Sequence, residues 1–122
     1  MIRGIGTDII EIDRISRAVK KDYFLKRAFS DSEIAMAKER NTDVFLAGNF
    51  AVKEAFVKAL GLGFRGIGLK DLEVLRDKYG KPFIRICNPE NIHLMDINEK
   101  NIYVSISNTN SLAVAMVVIE VD

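Results

Sequence analysis

The chain has 122 residues, of which 48% are hydrophobic and 29% are charged, and its formal net charge is +1 at pH 7. These values are typical of one globular domain, residues 1–122, and they exclude a disordered chain and a protein whose overall charge attracts nucleic acid. The lone cysteine, Cys87, excludes an internal disulfide framework and a cysteine-based zinc site, and it indicates a reducing, cytoplasmic compartment.

The first predicted element is a strand from Ile2 to Ile10. It contains Gly4 and Gly6, and glycines inside a strand predict the close approach of another backbone or a ligand. A helix is predicted to follow, with Asp13 as its N-cap residue. The beginning of the chain has no signal-peptide pattern, because no charged segment precedes an apolar one.

Three further helices are predicted. A short one covers residues 23–28, and the spacing of Ser30 and Glu33 is that of a capping box, which opens the next helix. The longest helix is predicted from about Asp43 to Leu60, and it stops at Gly61-Leu62-Gly63, a typical C-terminal signal.

The second half of the chain reads as strands joined by polar turns. Their predicted bounds are Leu69–Leu75, Phe83–Cys87, Ile102–Ser107 and Leu112–Val121. We expect the last of these to be buried on both faces because it is almost continuously apolar, although it is too short to span a membrane. We also expect Cys87 to be a small core residue. The order of elements predicts an α+β fold with an antiparallel sheet packed on one long helix.

A basic stretch lies early in the chain. Between residues 14 and 27 there are six basic residues and one acidic residue. Arg14, Arg17 and Lys21 have the spacing of one helix face. Two interpretations stay open at this point: a solvated helix face, or a docking surface for an acidic partner.

Two acidic residues, Asp8 and Glu54, have surroundings that differ from those of ordinary surface carboxylates. Asp8 lies in the apolar, glycine-bearing strand, and Glu54 lies on the long helix beside apolar residues. Spacing alone also allows an exposed Glu54–Lys58 pair, or a strand-end role for Asp8. If the two carboxylates converge, they form an oxygen site that suits magnesium and leaves room for phosphates.

Other polar residues carry weaker signals. Lys53, Lys58 and Lys81 are candidates for phosphate contacts. The single histidine, His93, lies in a polar loop, so a serine–histidine–aspartate triad is not expected.

Several segments together resemble the holo-acyl-carrier-protein synthases of the 4'-phosphopantetheinyl transferase superfamily. The opening segment, residues 4–15, resembles the first motif of that family, and residues 50–61 resemble the second, with its Lys-Glu-Ala-x-x-Lys-Ala core. Residues 66–74, 80–82 and 104–108 follow in the family's order. The resemblance covers nearly the whole chain and implies a 4'-phosphopantetheinyl transferase-like fold.

The resemblance implies a function and partners. It implies a magnesium-dependent transfer of 4'-phosphopantetheine from coenzyme A to a serine of apo acyl carrier protein in fatty acid biosynthesis, by a homotrimer with active sites between subunits. Nucleic-acid and membrane partners are not implied. An alternative is a catalytically inactive module that binds coenzyme A or a nucleotide.

The resemblance also implies residue roles. Asp8 and Glu54 would bind the metal, and Glu54 and Lys58 would be catalytic. The residues implied for the coenzyme are Lys58, Gly61, Lys81 and Ser107. Those implied for docking the carrier protein are Arg14, Arg17, Lys21 and Arg27. The base that accepts the serine proton stays open between Glu54, Asp31 and a bound water.

The chain departs from the family's pattern at three positions. Asn108 stands where a histidine is common, Asn49 where an arginine is common, and Leu69 where an aromatic residue is common. The first difference weakens any mechanism that requires that histidine.

Overall fold

The computed structural model describes residues 1–61, 63 and 66–121. Leu62, from the predicted helix stop, and Asp122, the last residue of the predicted domain, lie outside the described residues. The helices are α1 (Ile12–Ala18), α2 (Asp22–Ala28), α3 (Asp31–Lys38) and α4 (Thr42–Leu60). The strands are β1 (Ile2–Glu11), β2 (Leu72–Arg76), β3 (Pro82–Ile86), β4 (Ile102–Asn108) and β5 (Leu112–Glu120).

Helix α4 packs across a three-stranded antiparallel sheet with the order β1-β5-β4. The predicted α+β class with one long helix is confirmed. Strands β2 and β3, however, form a separate two-stranded sheet. The predicted antiparallel sheet on the long helix is the β1-β5-β4 sheet, and the β2-β3 pair adds a second one.

Strand β1 lies against α4 through its two glycines. A methyl group built on Gly4 would stand 1.9 Å from the carbonyl oxygen of Ala59, and one built on Gly6 would stand 1.8 Å from that of Ala55. The expectation of a close backbone approach is thus confirmed. Because side chains alternate along a strand, Asp8 faces α4 on the same side as these glycines.

The helix ends mostly follow the sequence signals. Ser30 Oγ accepts from the backbone N–H of Glu33 at 3.2 Å, and the Glu33 carboxylate accepts from the backbone N–H of Ser30 at 3.1 Å. Gly61 ends α4 with φ of 78°, a left-handed conformation that glycine adopts readily. Helix α1 begins at Ile12 with Glu11 as N-cap, so the prediction of Asp13 as the cap is wrong by two residues.

Two predictions about the second half of the chain are wrong. Residues Leu69–Asp71 form a 3₁₀ turn, and β2 begins only at Leu72, because Asp71 accepts from the backbone N–H of Gly68 and folds the chain there. Cys87 is exposed, because it follows Phe83 and Arg85 on the outward side of β3.

Strand β5 is buried on one face only, contrary to the prediction. Its inward residues pack under α4, whereas Val114 and Met116 are 39% and 46% exposed. Apolar side chains on the neighbouring strands continue this outward surface. The outward apolar face consists of Ile5, Ile9, Tyr103, Val114 and Met116. Among the described residues, no helix is both long and apolar enough to cross a membrane.

Candidate active site

A cleft of about 290 Å³ lies where β1, α1 and α4 meet. Asp8, Glu54 and Lys58 all line it, together with Arg14 and Phe50. Lys58 Nζ donates to the carbonyl oxygen of Thr7 at 3.0 Å and to Asp8 Oδ1 at 3.2 Å. The structure therefore brings together the three residues that the sequence singled out, and it pairs Lys58 with Asp8 across the cleft.

The Glu54 carboxylate is half-buried next to a second negative charge. Burial raises its pKa above the ordinary value, and the charge of Asp8 raises it further, while Lys58 and Arg14 act in the opposite direction. Among the described residues, no hydrogen-bond donor reaches this carboxylate. A cation bound nearby would stabilise the charged form of this partly buried carboxylate.

The donor set suits magnesium. Two carboxylates from different elements provide hard oxygen ligands, and magnesium commonly uses one or two carboxylates while keeping positions for phosphate and water. Within the described part of the chain, no group of three or more potential metal-binding side chains occurs. The cleft thus has the donors of a metal site shared with substrate, not those of a closed structural site.

Lys53 does not belong to the cleft, so its prediction as a phosphate contact is wrong. Its side chain is fully buried, and its ammonium donates to Glu33 Oε1 and to the carbonyl oxygen of Ala28, both at 2.7 Å. Lys53 precedes Glu54 directly on α4, and one residue turns the side chain by about 100° around the helix axis. This rotation sends Lys53 into the core and Glu54 toward β1.

The four basic residues considered for docking lie on α1, α2 and the turn between them. Arg14 lines the cleft, and Arg17 forms an exposed ion pair with Asp13 at 3.7 Å. Lys21 is the N-cap residue of α2, and Arg27 is exposed in the last turn of α2. Because α1 ends at Ala18, the prediction that Lys21 shares a helix face with Arg14 and Arg17 is wrong.

Lys81 and Ser107 lie away from the cleft. They flank a second cavity, of about 300 Å³, whose lining includes Gly80, Pro82 and Asn108. Gly61 is exposed at the end of α4 and lines neither cavity. Of the predicted coenzyme residues, the structure therefore places Lys58 in the carboxylate cleft and leaves Gly61, Lys81 and Ser107 outside it.

Two arginines in the second cavity were missed by the sequence reasoning. Arg40 and Arg76 both line it, and their guanidinium groups lie 5.7 Å and 4.4 Å from the ring centroid of Phe45. Burial, and then the charge of Arg40, lowers the pKa of Arg76 to about 10. Two cations crowded in this way favour an anionic ligand. No local spacing signal could reveal them, because Arg40 precedes α4 and Arg76 ends β2.

Two other residues lie outside the cleft. Asp31, a candidate base, is exposed at the beginning of α3. His93 lies half-buried in the loop before β4 and lines neither cavity.

Comparison with known proteins decides the family. The sequence profile of the 4'-phosphopantetheinyl transferase superfamily matches residues 4–117. The chain belongs to this superfamily. The predicted superfamily fold and the resemblance to its holo-acyl-carrier-protein synthases are confirmed by relatives and solved structures.

Among these transferases, a holo-[acyl-carrier-protein] synthase of Clostridium botulinum is 49% identical over 99% of both chains. A crystal structure of the Bacillus anthracis holo-(acyl-carrier-protein) synthase in complex with CoA (3',5'-ADP) is 36% identical, with a TM-score of 0.83 and coverage of 100% of this chain and 99% of that one. The Helicobacter pylori synthase in complex with coenzyme A is 34% identical, with a TM-score of 0.82 and coverage of 95% and 99%.

Proposed function

We propose that this transferase is a holo-[acyl-carrier-protein] synthase that moves 4'-phosphopantetheine from coenzyme A to a serine of apo acyl carrier protein and releases 3',5'-ADP. The observation that carries the proposal is the convergence of Asp8, Glu54 and Lys58 in one cleft of a chain 49% identical to a curated synthase. The reaction supplies holo carrier protein for fatty acid biosynthesis. The single domain spans residues 1–122, and the single cysteine suits the cytoplasm.

In the transfer, the serine oxygen forms a bond to the β-phosphorus of coenzyme A, and the bond from that phosphorus to the oxygen of 3',5'-ADP breaks. Asp8 and Glu54 would hold magnesium, which when bound would supply positive charge to the phosphate oxygens. Lys58 adds a fixed positive charge beside Asp8. Of the two candidate side-chain bases, Glu54 lines the cleft and Asp31 does not, which favours Glu54 as acceptor of the serine proton.

A homotrimer explains why Lys58 lines the cleft whereas Lys81 and Ser107 flank the second cavity. The second cavity lies near the beginning of α4 and the cleft near its end, about 14 Å apart along the helix axis for Phe45 and Glu54. The outward apolar face of the sheet provides a surface for subunit contact. Each active site then combines the cleft of one subunit with Lys81, Ser107, Arg40 and Arg76 of the next, and the arginines bind nucleotide phosphate.

Carrier docking uses the basic residues of α1 and α2. Arg14 lies at the rim of the cleft, where an acidic carrier helix would bring its serine to the phosphate. Arg17, Lys21 and Arg27 extend the same positive surface outward.

The transfer is tested by mass spectrometry of apo acyl carrier protein incubated with the protein, coenzyme A and magnesium. We expect a mass gain of one phosphopantetheine group, which EDTA abolishes. A gain that persists in EDTA would refute the magnesium site. Coenzyme A binding without any gain would favour the inactive binding module, with Asn108→His as the first reversion to test.

The shared site is tested by mixing two inactive variants. Glu54→Gln disables the cleft and Arg76→Met disables the second cavity, so each homotrimer should be inactive. Mixed trimers, formed by co-refolding equal amounts, contain intact sites between unlike subunits. Random assembly should restore about a quarter of the wild-type activity. No recovery in trimers shown to be mixed would contradict a site shared between subunits.

A further inference from the structure

A buried polar network lies on a neighbouring face of α4, about 100° around the helix axis from Glu54 at Lys53. Glu33, Asn49 and Lys53 are each 0% exposed. Glu33 Oε2 accepts from Asn49 Nδ2 at 2.8 Å and from the backbone N–H of Val74 at 3.3 Å. Its Oε1 accepts from Lys53 Nζ at 2.7 Å and from the backbone N–H of Ser30. Four donors, from α4, β2 and the N-cap residue of α3, thus fix one carboxylate.

The Lys53 ammonium ties this carboxylate to the corner between α2 and α3. It donates to the carbonyl oxygen of Ala28, the last residue of α2, and lies 5.2 Å from the ring centroid of Phe29. Phe24 of α2 packs against Phe29 and also against Phe50 of α4, with ring centroids 6.5 Å and 6.2 Å apart. Helix α2 is therefore anchored to α4 by Lys53 and by one aromatic cluster.

The face of α4 that lies against β1 is held by separate contacts. Gly4 and Gly6 bring the backbone of β1, the strand that carries Asp8, against α4, whereas Lys53 donates to Glu33 and Ala28. The network joins α4 to a different part of the molecule, namely the α2–α3 corner. That corner follows Lys21 and Arg27, two of the basic residues assigned to docking.

We propose that Lys53 and Glu33 are positioning residues that hold the carrier-docking helices in a fixed place relative to the cleft. The proposal rests on the function and docking surface proposed above. The pair touches neither substrate nor metal, and it acts through α2. Removing it should therefore change how the carrier serine is presented and leave the metal and coenzyme sites as they are.

The test uses the full-length double variant Glu33→Gln/Lys53→Met, which removes both buried charges and approximately keeps their volume. The control is Lys38→Met, which removes an exposed lysine at the end of α3. For each protein, Mn²⁺ binding in the presence of coenzyme A is followed by electron paramagnetic resonance. Steady-state transfer is then measured against carrier protein and, separately, against coenzyme A.

We expect the double variant to bind Mn²⁺ with the control's stoichiometry and affinity, and to keep the control's KM for coenzyme A. Its KM for the carrier protein should rise by about tenfold, the loss expected when a docking contact is misplaced. A merely structural role would lower the metal-binding fraction and kcat in proportion and leave the carrier KM unchanged. That result, or an unchanged carrier KM in fully folded protein, would overturn the proposal.

Failure of the underlying function has a different signature. If wild-type protein and Lys38→Met both fail to modify the carrier, the proposed transfer is wrong, and the positioning role falls with it. If both transfer normally and the double variant equals them, only the positioning role is wrong. Should the double variant not fold, Asn49→Leu provides the second test, because it removes one hydrogen bond to Glu33 and leaves the ion pair intact. This variant should also raise the KM for the carrier protein. An unchanged carrier KM in Asn49→Leu would overturn the proposal.

Discussion

Helix α4 carries two lysine–carboxylate pairs that use the same chemistry in opposite surroundings. Lys53 and Glu33 meet at 2.7 Å with both side chains 0% exposed, and backbone groups or neighbouring side chains satisfy both charges. Lys58 and Asp8 meet at 3.2 Å with 56% and 17% of their side chains exposed. The first pair is enclosed, whereas the second lies open to a cleft.

The difference shows which pair can exchange partners. An enclosed pair cannot take up a metal or a phosphate without opening the core, since each buried charge would lose its oppositely charged partner. In the proposed reaction the open pair would separate as magnesium approached Asp8 and a phosphate approached Lys58, because water and the ligand would replace the lost contact. The following variants test that contrast.

The largest expected effect is on the stability of Lys53→Met. The Glu33 charge would remain buried without its partner, so the free energy of unfolding should fall by about 3–5 kcal/mol. Urea unfolding measures the change. The double variant Glu33→Gln/Lys53→Met should recover most of the loss, and a double variant as unstable as the single one would contradict the assignment of the cost to the unpaired charge.

Lys58→Met should change the stability little and the transfer rate strongly. Because the pair is exposed, the free energy of unfolding should change by less than about 1 kcal/mol. The rate of phosphopantetheine transfer should fall by about 100-fold, since a fixed charge beside the phosphates is lost. Urea unfolding and single-turnover transfer measure the two quantities. Wild-type transfer rates in this variant would remove Lys58 from the reaction.

Gly6→Ala should disturb the open pair through the backbone. The added methyl group would stand 1.8 Å from the carbonyl oxygen of Ala55, so β1 must move away from α4 and carry Asp8 with it. Overpacking of this kind costs about 1–3 kcal/mol. Transfer should fall by more than about tenfold, because small displacements of reacting groups are costly.

The stability control for this variant is Gly68→Ala, where an added methyl group meets no atom closer than 3.9 Å. Its free energy of unfolding should stay near that of the wild type. If Gly6→Ala were as stable and as active as wild type, the glycine contact would not be what sets the distance across the cleft.

The smallest expected effect is the pH-dependent stability of Glu54→Gln in EDTA. Burial and Asp8 raise the pKa of Glu54 above its ordinary value of 4.5 in the folded protein. The folded state therefore holds this proton to higher pH than the unfolded state does, and wild-type stability falls as pH rises from about 4.5 through the raised pKa. The glutamine variant does not lose stability in this way, so its melting temperature at pH 8 should be higher than that of the wild type. The difference between the two melting temperatures should narrow toward pH 4.

Magnesium should reverse that order. Added magnesium should raise the melting temperature of the wild type, because it binds the folded state, and it should raise that of Glu54→Gln much less. Differential scanning fluorimetry measures both arms. Equal magnesium shifts in the two proteins would contradict Glu54 as a ligand.

The sequence predicted the local signals of the fold better than it predicted the partners of buried side chains. The glycines of β1, the capping box at Ser30 and the stop at Gly61 are local signals, and each lies where it was expected. The burial of Lys53 depends on its hydrogen bonds to Glu33 and Ala28, which form only after α2, α3 and α4 have packed. Local composition carries no record of such a partner, so Lys53 and Lys58 looked alike.

The outward surface of β5 shows a second limit. An apolar strand predicts burial, but it does not say whether the covering surface comes from the same chain. Val114 and Met116 are exposed because α4 covers only the inner face of the sheet. Arg40 and Arg76 were missed for a related reason, since the second cavity forms only where α4 and β2 come together.

The strand order has a consequence for synthesis on the ribosome. Strand β1 pairs with β5, and Asp8 lies opposite Ala115, whereas β4 also pairs only with β5 among the described strands. While the chain is being translated, β1 therefore has no partner strand until β5 emerges from the exit tunnel. Until β5 pairs with it, the strand that carries Asp8 has only α4 to pack against, so a nascent chain stalled before β5 should form α4 early and yet lack a stable cleft.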